Sequence, residues 1–382
     1  MKKHIKSTGI EWKNLNQEFD ELYSTGDYDR AMIVAKKALK VAEKNVGPNH
    51  LDVATSLNNL AGVYLDQDEY VQAEPLYKRA LAINEKTLGP NHPDVAASLH
   101  DFAFLYSSQG KFTQAEPLYK RALVIWEKAL GQDHPDIASV LNNLAFMYSC
   151  QSEYVQAEPL FKRALAIKEK ELGLDHPDVA NILKNLASLY DSQGEYTQAE
   201  PLYKRALAIN EKALGPDHPE VATSLNNLAL LFVNQDKHAQ AEPLYKRALA
   251  VLEKAFGPDH LNVATTLNNL AFLYISQCKY TQAEPLFKRA LAISEKVFGP
   301  DHLNVITSLS SLAELYLAQG EYAMIDPLYK RALAIVEKAH GLNHPDVAII
   351  LENMVKLYRK TGREKEAEEL EKRAVVIRSV KR

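Results

Sequence analysis

The sequence contains little of several features that mark specialised classes of protein. Its 382 residues include only two cysteines, which excludes a disulfide scaffold and favours a reducing compartment such as the cytoplasm. The formal net charge of -4 gives none of the basic excess typical of nucleic-acid binders. No apolar run approaches about 18 residues, so we expect no membrane insertion. The N-terminal segment MKKHIKSTGIEWKN has no apolar stretch behind its positive charges, so we expect no secretory signal.

The sequence also lacks the motifs that carry most catalytic chemistry. It has no glycine-rich phosphate loop, no cluster of metal ligands with zinc spacing and no nucleophile elbow. We therefore expect a protein that is not an enzyme and that has no cofactor, no metal ion and no small-molecule substrate.

What the sequence does contain is a repeat of 42 residues. All 17 prolines and 13 of the 15 glycines recur at a few fixed positions of this repeat, and one histidine returns in every regular unit. These histidines are His50, His92, His134, His176, His218, His260, His302 and His344. A fixed period of this kind is typical of repeat arrays. We therefore expect residues 1–382 to form a single array of about nine units, not two or three separate domains.

The ends of the array differ from its middle. We expect a degenerate N-terminal repeat at 8–47, seven regular repeats over 48–343 and a C-terminal capping repeat at 344–382. Glu371 occupies the position at which a regular repeat has an apolar residue such as Tyr77. A terminal repeat needs a polar outer face, so we expect Glu371 to be exposed to solvent.

One unit, residues 92–130, predicts two helices joined by a tight turn. Its first part places apolar residues on one helical face, and its second part does the same after the turn at Gly110. The first face consists of Leu99, Phe102, Ala103 and Tyr106. Thr113–Glu116 has the form of a capping box at the start of the second helix. Gly131 is predicted to end that helix in the left-handed conformation.

These units resemble tetratricopeptide repeats. The residues that carry the resemblance are Leu60, Ala61, Tyr64, Tyr70, Ala73, Tyr77 and Ala80, with their counterparts along the chain. The longer period and the segment LAI-x-EK-x-LGPDHPDVA are similar to the repeats of kinesin light chains. The resemblance implies an all-α fold, an α-solenoid wound as a right-handed superhelix, in which the first helices of the repeats line a concave groove.

Three recurring features favour structural interpretations. The histidines stand too far apart along the array for a shared zinc ion, and no second histidine or cysteine was found beside each of them, so they are expected to pack where a helix begins. The pair Lys78-Arg79 and its counterparts follow glutamates four residues earlier, which predicts a solvated face of ion pairs. Cys150 and Cys278 are expected to be small apolar fillers.

Two rows of polar residues lie beside the packed face of the first helices, toward the expected groove. One row is Asn58, His100, Asn142, Lys184, Asn226, Asn268 and Ser310, and its neighbour is Asn59, Asp101, Asn143, Asn185, Asn227, Asn269 and Ser311. An asparagine amide both donates and accepts, so such rows can hold the backbone of an extended peptide. They can equally satisfy groups between stacked helices, and both interpretations stay open.

The remaining candidates complete a peptide-binding groove. Phe104, Phe146 and Phe272, with Leu230 at the same position, would supply apolar pockets one turn further on, and Asn181 is a further candidate. Lys184 is the only cation in the two rows between the second and eighth units. Co-chaperone tetratricopeptide repeats clamp a terminal carboxylate with Lys and Arg. This chain resembles them in its repeat, but its two rows lack the residues of that clamp.

Together these observations predict an interaction scaffold that binds a peptide segment of a protein partner in its groove. An alternative stays open, in which the array is a ligand-responsive sensor that controls a separate enzyme or transcription factor. No nucleic acid is expected as a partner.

Overall fold

The computed structural model describes residues 2–379, with side chains described from Ile10 onward. Across residues 2–379 the chain forms eighteen helices and no strand, which confirms an all-α solenoid of nine helix pairs. The helices are α1 (Lys2–Ser24), α2 (Tyr28–Val46), α3 (Leu51–Asp66), α4 (Tyr70–Leu88), α5 (Pro93–Ser108), α6 (Phe112–Leu130), α7 (Pro135–Cys150), α8 (Tyr154–Leu172), α9 (Pro177–Ser192), α10 (Tyr196–Leu214), α11 (Pro219–Asn234), α12 (His238–Phe256), α13 (Leu261–Ser276), α14 (Tyr280–Phe298), α15 (Val305–Gln319), α16 (Tyr322–His340), α17 (Pro345–Lys360) and α18 (Glu364–Ser379).

Two compact units make up the chain, Met1–Leu189 and Tyr190–Arg382, and the boundary between them falls within α9. In each unit the two helices of a repeat pack against each other, and the second helix packs against the first helix of the next repeat. Among residues 2–379, none of the helices is both long enough and apolar enough to cross a membrane.

A histidine begins the first helix of the regular repeats. At α5 the backbone N–H of Asp94 donates a hydrogen bond to His92 Nδ1 at 3.2 Å, which satisfies one of the donors that a helix start leaves open. Pro93 follows as the first helical residue, where its missing N–H costs nothing. The same bond recurs at His50, His134, His176, His218, His260, His302 and His344. The structural interpretation of the histidine series is therefore confirmed.

Alanines let the helices approach one another closely. Ala103 on α5 and both Ala115 and Ala122 on α6 are fully buried where this pair meets. Between them lie larger apolar side chains such as Leu99, which is also fully buried. Truncating a leucine of this kind to alanine typically costs about 2–5 kcal/mol.

Two local predictions need correction. Thr113 does not cap α6, because the helix already begins at Phe112 and no side chain caps its start. Gly131 has φ 89° and ψ 161°, not the left-handed helical conformation, so the chain leaves the helix in an extended direction open only to glycine.

Arginine ties each repeat to the one before it. Arg79 lies 2.8 Å from Glu43 of the preceding repeat and donates to the carbonyl oxygen of Pro48 at 3.0 Å. The same ion pair joins Arg121 to Glu85, Arg163 to Glu127, Arg247 to Glu211, Arg289 to Glu253, Arg331 to Glu295 and Arg373 to Glu337. We call this contact the Arg–Glu seam. The arginine of each Lys-Arg pair, predicted for a solvated face, therefore also joins two repeats.

The turn between the two helices of a repeat requires a positive φ. Gly110 supplies it with φ 69°. Four repeats hold this conformation without glycine, at Asp68, Ser152, Asp236 and Cys278. Side chains with a Cβ adopt this region at a cost, so these four turns are strained relative to that at Gly110.

Candidate functional site

The apolar side chains predicted on the first helices are exposed. Phe104 is 42%, Phe146 52%, Leu230 46% and Phe272 38% exposed, although most of the other apolar residues on their helices are buried. Exposed large apolar side chains at one recurring position indicate a surface suited to binding.

The asparagine rows form a ladder of hydrogen bonds between repeats in the first unit. Asn59 Nδ2 donates to Asn16 Oδ1 at 3.0 Å, and Asn185 Nδ2 donates to Asn142 Oδ1 at 3.0 Å. Asn143 makes the equivalent contact at 3.0 Å with the Nε2 of His100. Each bond joins a residue of one row to the neighbouring row of the preceding repeat. These amides therefore stabilise the stacking of repeats.

The same rows leave part of their polar capacity unused. In the second unit Asn226 Nδ2 donates to Thr266 Oγ1 at 2.9 Å. Its own oxygen is buried with no hydrogen-bond partner among the described residues, as are the oxygens of Asn58 and Asn268. The side chains of both rows are half-buried, apart from Lys184 and Ser311, which are buried. A structural role for several asparagines is established, whereas peptide binding by these rows remains a hypothesis.

A polar cavity of about 300 Å³ lies between α7, α8 and α9 in the first unit. Asn142, Asn143 and Asn181 line it, together with Lys168. The Lys168 ammonium lies 3.3 Å from Glu171, so this cation already has an acidic partner. Lys184 is 9% exposed and does not line this cavity.

A second cavity in the first unit, which we call the acidic cavity, has a volume of about 330 Å³. Two carboxylates line it, those of Asp66 and Asp101, and no lysine or arginine does. Its other lining residues are Phe19, Tyr23, Asn58, Asn59, Gly62, Leu65, Tyr77, His100, Phe104 and Asn143. Five of the predicted groove residues therefore come together here: Asn58, Asn59, His100, Phe104 and Asn143.

Each of the two carboxylates of the acidic cavity has a polar neighbour within hydrogen-bonding distance. Tyr23 donates its hydroxyl to Asp66 Oδ2 at 2.5 Å, and His100 Nδ1 lies 3.3 Å from Asp101 Oδ1. Burial first, and then the hydrogen bond to Asp66, raises the pKa of Tyr23 well above its ordinary range. Burial and the charges of Asp101 and Asp66 do the same to the pKa of Tyr77. Both phenols therefore stay neutral, and the negative charge of the site belongs to the two aspartates.

A third cavity, which we call the amide cavity, lies in the second unit and has a volume of about 230 Å³. Its lining contains no charged side chain. It is lined by Thr223, Asn226, Asn227, Leu252, Asn262, Thr265 and Asn269. The amides predicted for the groove here face a site that offers hydrogen bonds and no charge.

The outer face of the second helices carries the expected ion pairs. Lys78 lies 2.5 Å from Glu74 and Lys120 2.6 Å from Glu116, with equivalents in the later repeats. The hydrogen bond from Lys120, followed by that from Tyr148, lowers the pKa of Glu116. Glu371 in the last repeat keeps its side chain 46% exposed and pairs with Arg359 at 2.6 Å. The exposure predicted for Glu371 is therefore found.

Two predictions about reactive residues are wrong. Cys150 and Cys278 are exposed and free, because they occupy the end of a first helix and the following turn. The last regular histidine does have a second histidine beside it: His340 and His344 each place Nδ1 within 3.4 Å of Asp346 Oδ2. This cluster has the donor types that zinc accepts, but His344 Nδ1 also accepts the helix-capping hydrogen bond.

The stacked helix pairs define a helical repeat protein of the solenoid class. The family model described as Tetratricopeptide repeat matches eight overlapping segments: 22–86, 52–128, 102–170, 136–212, 178–254, 233–296, 262–325 and 310–378. The chain therefore belongs to the tetratricopeptide repeat family. No curated protein matched the chain.

Solved structures share this fold. BtubC (BKLC) from P. vanneervenii is 25% identical, with a TM-score of 0.50 over 63% of this chain and 92% of its own. TPR-like repeats of a kinesin light chain-like protein from Podosopora anserina are 28% identical, with a TM-score of 0.47 over 53% of this chain and 95% of theirs. The apo form of RapI is 16% identical, with a TM-score of 0.59 over 97% of this chain and 98% of its own, and at that identity it shows the fold alone.

Proposed function

We propose that this protein is a non-enzymatic interaction scaffold that binds an extended peptide segment of a partner protein along the first helices of its repeats. The observation that supports this most strongly is the recurring exposed apolar position of Phe104, Phe146, Leu230 and Phe272. Two free, exposed cysteines suit work in a reducing compartment, and we propose the cytoplasm.

The exposed apolar position and the amide rows suit different parts of a peptide. Apolar side chains of the peptide would cover Phe104 and Phe146 and remove that surface from water, at roughly 25 cal/mol for each Å² buried. The half-buried amides beside them would pair with the peptide backbone, which carries one donor and one acceptor at each residue other than proline. Since a backbone is the same in every peptide, the side-chain contacts would provide the selectivity.

The experiment selects short random peptides displayed on phage against the immobilised full chain. Selected peptides are then labelled and titrated by fluorescence anisotropy against the wild type and against F104S/F146S, since Ser188 already stands at this position of the repeat. We expect the double variant to bind at least about tenfold more weakly, because it removes two apolar contacts.

A matched control removes the same number of exposed apolar side chains from the second helices. Val71 and Val155 are 85% and 89% exposed on second helices, and Thr113 stands at their position of the repeat. V71T/V155T should bind as the wild type does. Equal binding by all three proteins, or no selected peptide at all, would overturn the proposal.

A further inference from the structure

Three residues that line the acidic cavity differ from the residues at the same positions of neighbouring repeats, and we call these differences departures. Gly62 stands where the next five repeats have Phe104, Phe146, Ser188, Leu230 and Phe272. Asp66 stands where Ser108, Cys150, Ser192, Asn234 and Ser276 follow. Asp101 stands in a row that otherwise reads Asn59, Asn143, Asn185, Asn227, Asn269 and Ser311. All three departures line one cavity, although they lie on two different first helices.

We propose that the acidic cavity binds the cationic side chain of an arginine or lysine within the peptide. This inference rests on the proposed function and names the chemistry of the residue that the scaffold selects. The two departures that add charge add it with the same sign, and both replace residues that are neutral in the neighbouring repeats. Two carboxylates that line one partly enclosed site both attract a positively charged group placed there.

Within the part of the chain whose side chains are described, neither carboxylate of the acidic cavity is paired with a lysine or an arginine. Among the described side chains, no lysine or arginine nitrogen lies within 4.0 Å of Asp66 or Asp101, and their neighbours are Tyr23 and His100. Elsewhere in the chain acidic residues are commonly paired, as Glu74 is with Lys78 and Glu43 with Arg79. A guanidinium or ammonium donor therefore supplies what these two carboxylates lack.

The walls of the cavity also suit a cation. Phe19, Tyr23, Tyr77 and Phe104 contribute aromatic rings, and rings attract a cation placed over their faces. Gly62 gives the cavity its depth: a Cβ at that position would lie 3.7 Å from the Tyr23 hydroxyl oxygen and 3.8 Å from that of Tyr77. A phenylalanine, as found at the same position one, two and five repeats later, would fill this space with its ring.

A neighbouring subsite favours a peptide over a free amine. Phe104 and Asn143 belong to the acidic cavity and also to an apolar cavity of about 160 Å³ shared with Ser107, Ser108, Tyr119 and Phe146. A basic residue in the first cavity therefore brings the adjoining part of the chain to an apolar site. We expect the selected peptides to carry a basic residue close to an apolar one.

The test repeats the phage selection in parallel on the wild type and on D66N/D101N. Asparagine already stands at both positions elsewhere in the array, as Asn234 and Asn143, so the variant keeps the array's own residue types. Peptides selected by the wild type should share an arginine or lysine, and those selected by the variant should not. A basic preference that is missing from the wild type, or kept by the variant, would overturn the inference and leave peptide binding intact. No selected peptide from either protein would overturn the proposed function, and the inference with it.

Affinity measurements then isolate the charge. A selected peptide and its counterpart with citrulline in place of arginine have nearly the same shape and differ in charge. We expect citrulline to weaken binding to the wild type by about tenfold, and to leave binding to D66N/D101N almost unchanged. Binding of the arginine peptide to the wild type should also weaken with salt, since the cavity is open to solvent. Equal losses on both proteins would place the arginine outside the acidic cavity. Circular dichroism checks that both proteins fold.

Discussion

The acidic cavity of the first unit and the amide cavity of the second share three positions of the repeat and differ in chemistry. Asn58, Asn59 and Asp101 correspond to Asn226, Asn227 and Asn269, whereas the counterparts of Gly62 and Asp66, which are Leu230 and Asn234, do not line the amide cavity. One cavity is deep, aromatic and negatively charged, whereas the other is lined by amides and hydroxyls without charge. The helices that carry them begin in the same way, at His50 and His92 or at His218 and His260.

The difference separates two kinds of residue. Recurring residues that form contacts between repeats, such as Arg79 with Glu43 and their counterparts, are expected to affect stability. Residues of the acidic cavity that depart from the repeat, such as Gly62 and Asp101, leave these contacts intact and are expected to affect binding. Each prediction below tests one side of this division.

The largest effect is expected from filling the acidic cavity. Gly62→Phe should weaken binding of a selected basic peptide by at least about thirtyfold, because the ring occupies the site of the cationic side chain. Ser188→Phe introduces the same ring at the same position of another repeat, outside the acidic cavity, and should not weaken that binding. Anisotropy titration measures both. Retained affinity in Gly62→Phe would remove the cavity from the binding surface.

Introducing the residues of the acidic cavity at the same positions of another repeat should create a preference for basic peptides there. In a Gly62→Phe background, the combined changes L230G, N234D and N269D should create a basic preference at these positions of the second unit, with arginine favoured over citrulline by about three- to tenfold. Glycine within α11 costs about 1 kcal/mol of helix stability, so thermal melting accompanies the titration. The triple change without any gain in basic preference would show that further residues, such as the aromatic walls, are required.

Carboxylates that recur should control stability in acid. Hydrogen bonds from lysine lower the pKa of Glu74, Glu116, Glu200, Glu242 and Glu284 below the unfolded value of about 4.3. Their contribution is therefore complete above that value and disappears as pH falls through the folded pKa. The melting temperature should fall below about pH 4.3, and less steeply when all five are glutamine. The same slope in both proteins would exclude these pairs as the cause.

The asparagine ladder should affect stability more than an exposed asparagine does. Asn185→Ala removes the hydrogen bond to Asn142 and should cost about 1 kcal/mol. Asn181→Ala, at an exposed position on the same helix, should cost less than about 0.5 kcal/mol. Thermal and denaturant unfolding measure the two. If Asn181→Ala were the more destabilising change, the ladder would not hold the repeats together.

The smallest effect is expected at a turn. Ser152→Gly should stabilise the first unit by about 0.5–1 kcal/mol, because Ser152 holds φ 61° where glycine adopts this region without strain. Gly110→Ala at the equivalent turn should destabilise by a similar amount. Both should bind the selected peptide as the wild type does. A change in affinity with either variant would show that the turns contribute to binding.

Most of the fold was predictable because the sequence states the same pattern nine times. The unit read from residues 92–130 became α5 (Pro93–Ser108) and α6 (Phe112–Leu130), close to the expected bounds. The error at Thr113 has a local cause: a capping pattern also occurs by chance just inside a helix, and here the helix had already begun.

The candidate site was harder to predict, since recurrence does not identify which recurring residues touch. Asn185 and Asn142 were assigned to rows, but their bond joins one row to the other across repeats. The glutamate partners of the arginines in the Arg–Glu seam could not be predicted for the same reason. Gly62 and Asp66 can be recognised in the sequence, because they differ from the residues at the same position of the neighbouring repeats. Only the structure shows that they line one cavity.

Because every Arg–Glu seam has the same form, the gene can gain or lose whole repeats with little loss of stability in the encoded protein. Removing 42 residues from the middle of a unit would bring an arginine of one repeat to the glutamate of another, and the new junction would equal the old. Unequal recombination between near-identical repeats can therefore change the length of the array without creating a faulty joint. We expect a deletion that removes Gly62 and Asp66 to leave folding intact and to weaken binding of the partner.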